Sequence, residues 1–275
     1  MAFRDAHLHF ITHGRPADEN DLKGIEGALK CSGILEVYDM GDRAMTGLKA
    51  KEVFGDSLSV KTCGCGLYKK GGYGRFIGIE VDSRDEIIRA IRELFLRGVD
   101  FIKVINSGIV SLKPTTPVTE GGFSREELKI ICSEAGEIGL DVFAHANSDR
   151  SIREAVEAGV ISIEHGFFIT KDTLDMMKEK SVSWTPTVFA FHVAMSSEPH
   201  DTSLVERIID GHLRSINYAA SIGLRLKIGT DSGSKGVRHG ESYMKEVEFF
   251  RRAGLSPQQI NAAAGLESTS PEQLL

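Results

Sequence analysis

Eight short apolar runs recur along this 275-residue chain, beginning near Phe3, Ile34, Leu58, Phe101, Asp141, Val160, Ser183 and Arg225, and a stretch with helical spacing follows each of them. This alternation constrains the fold more than any other feature. Short apolar runs joined by helical crossovers belong in a parallel sheet buried beneath its own helices. The helical stretches carry their own punctuation. Ile25, Ala28 and Leu29 share one face of a helix predicted over Asn20 to Lys30, which stops near Gly33. Ser83 with Glu86 and Ser124 with Glu127 form capping boxes, in which each side chain satisfies an orphan amide of the first turn. Thr170 opens another helix, and Gly139 and Gly159 end two.

Further helices are expected over Arg43 to Phe54, Leu204 to Ser221, Glu241 to Arg252 and Pro257 to Ala264. A glycine-rich loop is expected over Gly66 to Gly78, and a long connection holding His192 and Pro199. Residues Asn106 to Gly122, rich in Pro, Thr and Gly, read as a lid or an interface. Eight strands alternating with helices, in a chain near the ~250 residues typical of the fold, predict an α/β protein. The expected architecture is a (β/α)8 TIM barrel over residues 1–275 as a single domain. A doubly wound sheet is the alternative; it would place a phosphate-binding glycine motif after the first strand, where this chain has HLHFITHG.

With 41% hydrophobic and 26% charged residues the composition is that of an ordinary globular protein. The formal net charge of −6 argues against a general nucleic-acid or anionic-membrane partner, leaving a small molecule as the expected one. No signal peptide is evident, and no apolar run approaches the roughly 20 residues that span a bilayer, so the cytoplasm is the expected location. Cys63 and Cys65 could bind metal as a C-x-C pair, but buried free thiols are the simpler reading.

The polar residues gather where such a barrel keeps its chemistry. His7 and His9 are two apart, so an extended strand projects both from one face. The ends of later strands carry His145, His165 and Asp231. Singly, each histidine reads equally well as a hydrogen-bonded core residue, and Asp231 as a helix N-cap. Together, at the barrel end that carries the βα loops, they suit zinc or a similar divalent ion. Lys103 is the anomaly: it shares a strand face with Phe101 and Ile105, so its amine must enter either the barrel interior or the helix layer. Burying an unpaired ammonium is costly. Either the amine is neutral and forms a Schiff base with a carbonyl substrate, or it is converted into an anion.

HLH at 7 to 9, Lys103 in DFIKVINSG, His145 in FAHA, His165 in SIEHG and Asp231 in GTDSG together resemble the amidohydrolase superfamily, over nearly the whole chain. The likeness is greatest to its prolidase-like and imidazolonepropionase-like branch. It implies two divalent metal ions, zinc being expected. His7, His9 and Asp231 would hold the more buried ion, His145 and His165 the more exposed one, and a Lys103 carboxylated by carbon dioxide would bridge them. It implies hydrolysis of a carbon–nitrogen bond in an amide, dipeptide or cyclic amide by a metal-bridging hydroxide, with Asp231 as the catalytic proton carrier. A lactone or ester is the alternative substrate. Tyr73 stands where relatives often have a histidine, Asn147 where some dipeptide-cleaving relatives have a tyrosine, and His239 matches a family histidine; all three are expected at the substrate.

Many members of the branch also wrap the barrel in a β-sandwich made from both termini, which this sequence is expected to lack, leaving its lower helices for a homo-oligomer contact. The rival readings are a Schiff-base aldolase using Lys103 and a non-catalytic metal-binding barrel. His13, His200 and His212 remain as unassigned surface residues.

Overall fold

The computed structural model describes residues 2–113, 115–196 and 201–266. In chain order these form β1 (Phe3–Leu8), the hairpin β2 (Ile11–Thr12) and β3 (Arg15–Pro16), α1 (Glu19–Cys31), β4 (Ile34–Asp39), α2 (Thr46–Phe54) and a 3-10 turn at Gly55–Ser57. Next come β5 (Ser59–Thr62), β6 (Gly66–Lys69), β7 (Gly78–Val81), α3 (Arg84–Leu96), β8 (Phe101–Ile105), α4 (Arg125–Glu137), β9 (Asp141–Ala146), α5 (Asp149–Ala158), β10 (Ser162–His165) and α6 (Lys171–Glu179). The described chain ends with β11 (Ser183–Thr185), α7 (Val188–Ser196), α8 (Thr202–Ser221), α9 (Tyr243–Arg252) and α10 (Pro257–Ala263).

The expected α/β barrel is present. β1, β4 and β5 pair in parallel, as do β6, β8, β9, β10 and β11. β5 and β6 are two halves of one expected strand, interrupted at residues 63–65. The eighth run makes isolated bridges in place of a regular ladder, Leu226 with Trp184 on one side and Ser232 with Leu8 on the other. The Ala6 amide donates to the Ile228 carbonyl at 2.8 Å and the Asp231 amide to the His7 carbonyl at 2.7 Å, so the last run returns to the first.

The capping boxes at Ser83 and Ser124 form as predicted. The large core lies between strands and helices and includes Ile102, Val104, Leu128 and Ile131. A separate plug of Met40, Cys63, Phe101 and Phe143 fills the barrel interior, with the Phe101 and Phe143 rings stacked at 4.4 Å. Phe101 in the plug and Ile102 in the outer core settle the parity of β8, and Lys103 points into the barrel. Cys63 and Cys65 are buried free thiols. Among the described residues no helix is long and apolar enough to cross a membrane.

Several expectations need correction. α2 starts at Thr46 and not at Arg43, because the Asp42 carboxylate takes the amides of Ala44 and Thr46 and Met45 adopts a left-handed φ of 54°. The glycine-rich loop is shorter than expected: Gly66 opens β6 and Gly78 opens β7. Both glycines serve close strand packing, since a Cβ on Gly78 would lie 2.6 Å from the Gly66 carbonyl oxygen. The connection expected around His192 is helix α7, whose apolar residues run around its circumference and so leave no helical period to read. Its first amides, Val188 and Phe189, donate to the buried Glu246 carboxylate at 2.9 and 2.7 Å. Pro199 and His200 lie outside the described residues. Within Asn106 to Gly122 the chain folds back on itself, with Thr119 donating to the Ile109 carbonyl and Ser111 to that of Pro117.

His212 is not on the surface. It is 4% exposed, stacked on Phe167 at 3.9 Å and set edge-on to Trp184. Burial pushes its pKa down to about 3 from an ordinary 6.5. Between these values the unfolded chain takes up a proton that the folded chain refuses, so stability falls as pH falls through that window. Replacing His212 with Phe should keep the stack and remove about 1.4 kcal/mol per pH unit from the slope of stability against pH between 6 and 4. Urea unfolding of both proteins at several pH values measures this, and parallel slopes would refute it.

Candidate active site

The site is assembled by joining the first and last strands. The Asp5 carboxylate accepts the Thr230 hydroxyl at 2.6 Å and the Thr230 amide at 2.9 Å, locking β1 to the final run. This lock sets the HLH stretch beside Asp231. At Gly229 any side chain would collide, since a Cβ there would lie 2.4 Å from Thr185 Cγ2 and 2.7 Å from His7 Cβ. His7 Nε2 and His9 Nε2 stand 3.7 and 3.5 Å from one Asp231 oxygen.

Each imidazole has one nitrogen committed. His9 Nδ1 donates to the Gly41 carbonyl at 2.7 Å and His145 Nε2 to the Gly108 carbonyl at 3.0 Å; a carbonyl can only accept, which fixes both tautomers. His7 Nδ1 meets Glu164 Oε2 and His165 Nδ1 meets Thr187 Oγ1, each at 2.7 Å. One nitrogen per ring thus remains for a ligand. The rings form a chain, His9 to His7 at 5.6 Å, His7 to His165 at 4.9 Å and His165 to His145 at 4.6 Å. Neighbouring residues of a strand face opposite ways, yet Glu164 and His165 both serve the site. A φ of 68° at His165 makes this turn, and Asp231 has a φ of 54°; such backbone costs on the order of 1–3 kcal/mol and concentrates at functional sites.

Burial governs the electrostatics. It pushes His9 and His145 down to about 4, and His7 and His165 well below their ordinary value, with the Lys103 charge acting in the same direction. At neutral pH all four are uncharged, the form in which imidazole binds metal. Asp231 is raised to about 7 by burial, against the pull of Lys103. Lys103 is 1% exposed, its pKa is lowered by burial, and its Nζ has no hydrogen-bond partner.

The donors fit a divalent metal. Ligand atoms of His7, His165 and Asp231 all lie within 4.8 Å of one another, with His9 and His145 at the two ends of the ring chain. Above them opens a cavity of about 810 Å³, lined by His9, His145, His165 and Asp231 and walled by apolar residues such as Phe76, Val110, Phe167 and Phe191. Tyr73 and Asn147 also line it. Asn147 Nδ2 donates to the Gly108 carbonyl at 3.3 Å and its Oδ1 accepts the Phe167 amide at 3.1 Å. His239 stands elsewhere: its Nε2 donates to the His9 carbonyl at 2.9 Å and its ring lies parallel to that of Phe10, outside the cavity lining. It braces the end of β1. Sequence reasoning missed Glu164 and the Asp5–Thr230 lock. The sole trace of Glu164 was an acid inside an apolar run.

An eight-stranded barrel with this donor set at the C-terminal ends of its strands defines a class, and the sequence agrees: the chain belongs to the amidohydrolase family, whose profile matches residues 2–266. Among curated relatives it is similar to ochratoxinase of Aspergillus niger, 29% identical over 189 residues, which cover 66% of this chain and 38% of the relative. The match thus spans less than two fifths of that enzyme's length. An uncharacterized Mycobacterium tuberculosis protein is 25% identical over 271 residues, covering 94% of this chain and 70% of the relative. In structure the chain is similar to A. niger ochratoxinase (TM-score 0.78, 22% identity, 96% of this chain and 69% of that one). It is also similar to a Xaa-Pro dipeptidase with methionine bound in its active site (TM-score 0.79, 22% identity, 96% and 73%). At these identities the structural likeness speaks to the fold.

Proposed function

We propose that this chain is a metal-dependent hydrolase that cleaves a carbon–nitrogen bond in an amide, dipeptide or cyclic amide. One observation carries the reading: four neutral imidazoles and Asp231 surround a buried, partnerless Lys103 at the floor of a large apolar cavity. His7, His9 and Asp231 would hold the inner of two zinc ions, His145 and His165 the outer one, and Lys103 would bridge them as a carbamate. Burial favours the neutral Lys103 amine, and only a neutral amine attacks carbon dioxide, forming an N–C bond and releasing a proton. Bound divalent ions would supply Lewis acidity and lower the pKa of water toward ~7.

The remaining work belongs to the side chains. Asp231 takes the proton of the attacking water and returns it to the leaving nitrogen. The apolar walls exclude bulk water and strengthen electrostatic interactions within the site. Tyr73 and Asn147 border the substrate. A Schiff base on Lys103 would leave the four imidazoles and Asp231 without a role, which supports this reading over the Schiff-base one.

The test combines metal analysis with a substrate screen. We expect about two zinc ions per chain, hydrolysis of at least one class among N-acyl amino acids, dipeptides and cyclic amides, loss of activity on chelation and recovery on adding zinc. A protein that takes up no metal, or that hydrolyses amides undiminished after chelation, would overturn the proposal.

A further inference from the structure

Glu164 is completely buried, yet it makes no hydrogen bond to the buried Lys103 amine, whose Nζ has no hydrogen-bond partner. Both of its oxygens are committed elsewhere. Oε1 accepts the Ser162 hydroxyl at 2.6 Å, and Oε2 meets His7 Nδ1 at 2.7 Å. The Ser162 oxygen in turn accepts from Lys227 Nζ at 2.8 Å, and that ammonium sits 4.6 Å from the centre of the Phe143 ring. A continuous line runs Lys227, Ser162, Glu164, His7 through the barrel interior. It joins the last run to β10 and β10 to β1.

The other three histidines lack such an arrangement. His9 and His145 are held by backbone carbonyls and His165 by a hydroxyl. His7 alone among the four is backed by a carboxylate, and that carboxylate is itself oriented by a hydroxyl and a cation. A carboxylate bonded to Nδ1 does two things to an imidazole: it fixes the proton on Nδ1, leaving Nε2 bare, and it makes Nε2 a stronger electron donor. His7 Nε2 faces Asp231.

We infer that Glu164 is a positioning residue that fixes the tautomer of His7 and makes it the dominant donor to the inner metal ion, with Ser162 and Lys227 holding Glu164 in place. The inference rests on the reading of His7 as a metal ligand. It also bears on the partnerless Lys103: Glu164, whose charge acts on that amine, takes its hydrogen bonds from His7 and Ser162 instead.

Two measurements test this. In the metal-free parent protein, long-range 1H–15N spectra of the histidine rings should show His7 protonated on Nδ1; a proton on Nε2 overturns the inference whatever any variant does. In Glu164→Gln, zinc affinity measured by competition with a chromophoric chelator should fall about 10- to 100-fold, the weakened site being one of two. Ser162→Ala and Lys227→Met leave the carboxylate in place and should weaken zinc by smaller factors; they supply the same readout if the Gln variant does not fold. Zinc binding within twofold of the parent in all three variants overturns the positioning role while leaving the hydrolase reading intact. A parent protein that binds no zinc overturns the metal reading and this inference with it.

Discussion

Lys103→Met is expected to abolish metal binding and hydrolysis together while leaving the metal-free barrel as stable as before. Replacing a well-packed buried side chain usually destabilises a protein, and loss of a buried partner usually leaves another group unpaired. Neither applies at Lys103. Its Nζ bonds to nothing, so its removal orphans no group, and a buried ammonium without a partner is itself unfavourable. Methionine fills nearly the same volume without the charge. The loss of activity should be on the order of 10³-fold or more, because the metal contribution of several kcal/mol disappears. Thermal melts of both proteins without metal, elemental analysis after zinc loading and turnover of the best amide substrate supply the three readouts. A variant that retains two zinc ions and full turnover would show that Lys103 bridges nothing.

Asp231→Asn should separate chemistry from assembly. Asparagine tolerates the left-handed φ of 54° at this position, and the bond from its amide to the His7 carbonyl is untouched. What changes is the ability to take a proton at neutral pH. Turnover is expected to fall about 10²- to 10⁴-fold, the usual contribution of a positioned general base, with KM within a fewfold of the parent and the metal retained through the imidazoles together with Lys103. If kcat falls less than tenfold, another residue carries the proton. The two substitutions give opposite patterns, metal lost in one and kept in the other, which a general disturbance of the barrel would not produce.

Much of the site was legible because its residues announce themselves by type and position. The HLH pair, His145, His165 and Asp231 sit at strand ends in the sequence, and the barrel brings the strand ends together. His239 shows the limit of matching by motif: the residue is present, but its ring nitrogen is committed to the His9 carbonyl and it braces β1. His212 shows the limit of reading polarity as exposure, since a neutral imidazole stacked on Phe167 behaves as core. Helix α7 was hidden for a different reason. Its apolar residues show no one-sided pattern, and its N-terminal amides are satisfied by Glu246, 58 residues away from Val188.

The sequence by itself determined the alternation of strand and helix, the capped helix starts and the identity of the candidate metal-binding side chains. These depend on local periodicity, on side chains reaching amides within one turn, and on which atoms can donate to a metal. The tertiary structure decided which way Lys103 faces, which nitrogen of each histidine is free, and which acid supports His7. Those outcomes depend on partners distant in the chain: Glu164 and His7 are 157 residues apart, and Asp5 and Thr230 are 225 apart. Closing the barrel is what places such groups within hydrogen-bonding distance, and no local pattern encodes that proximity.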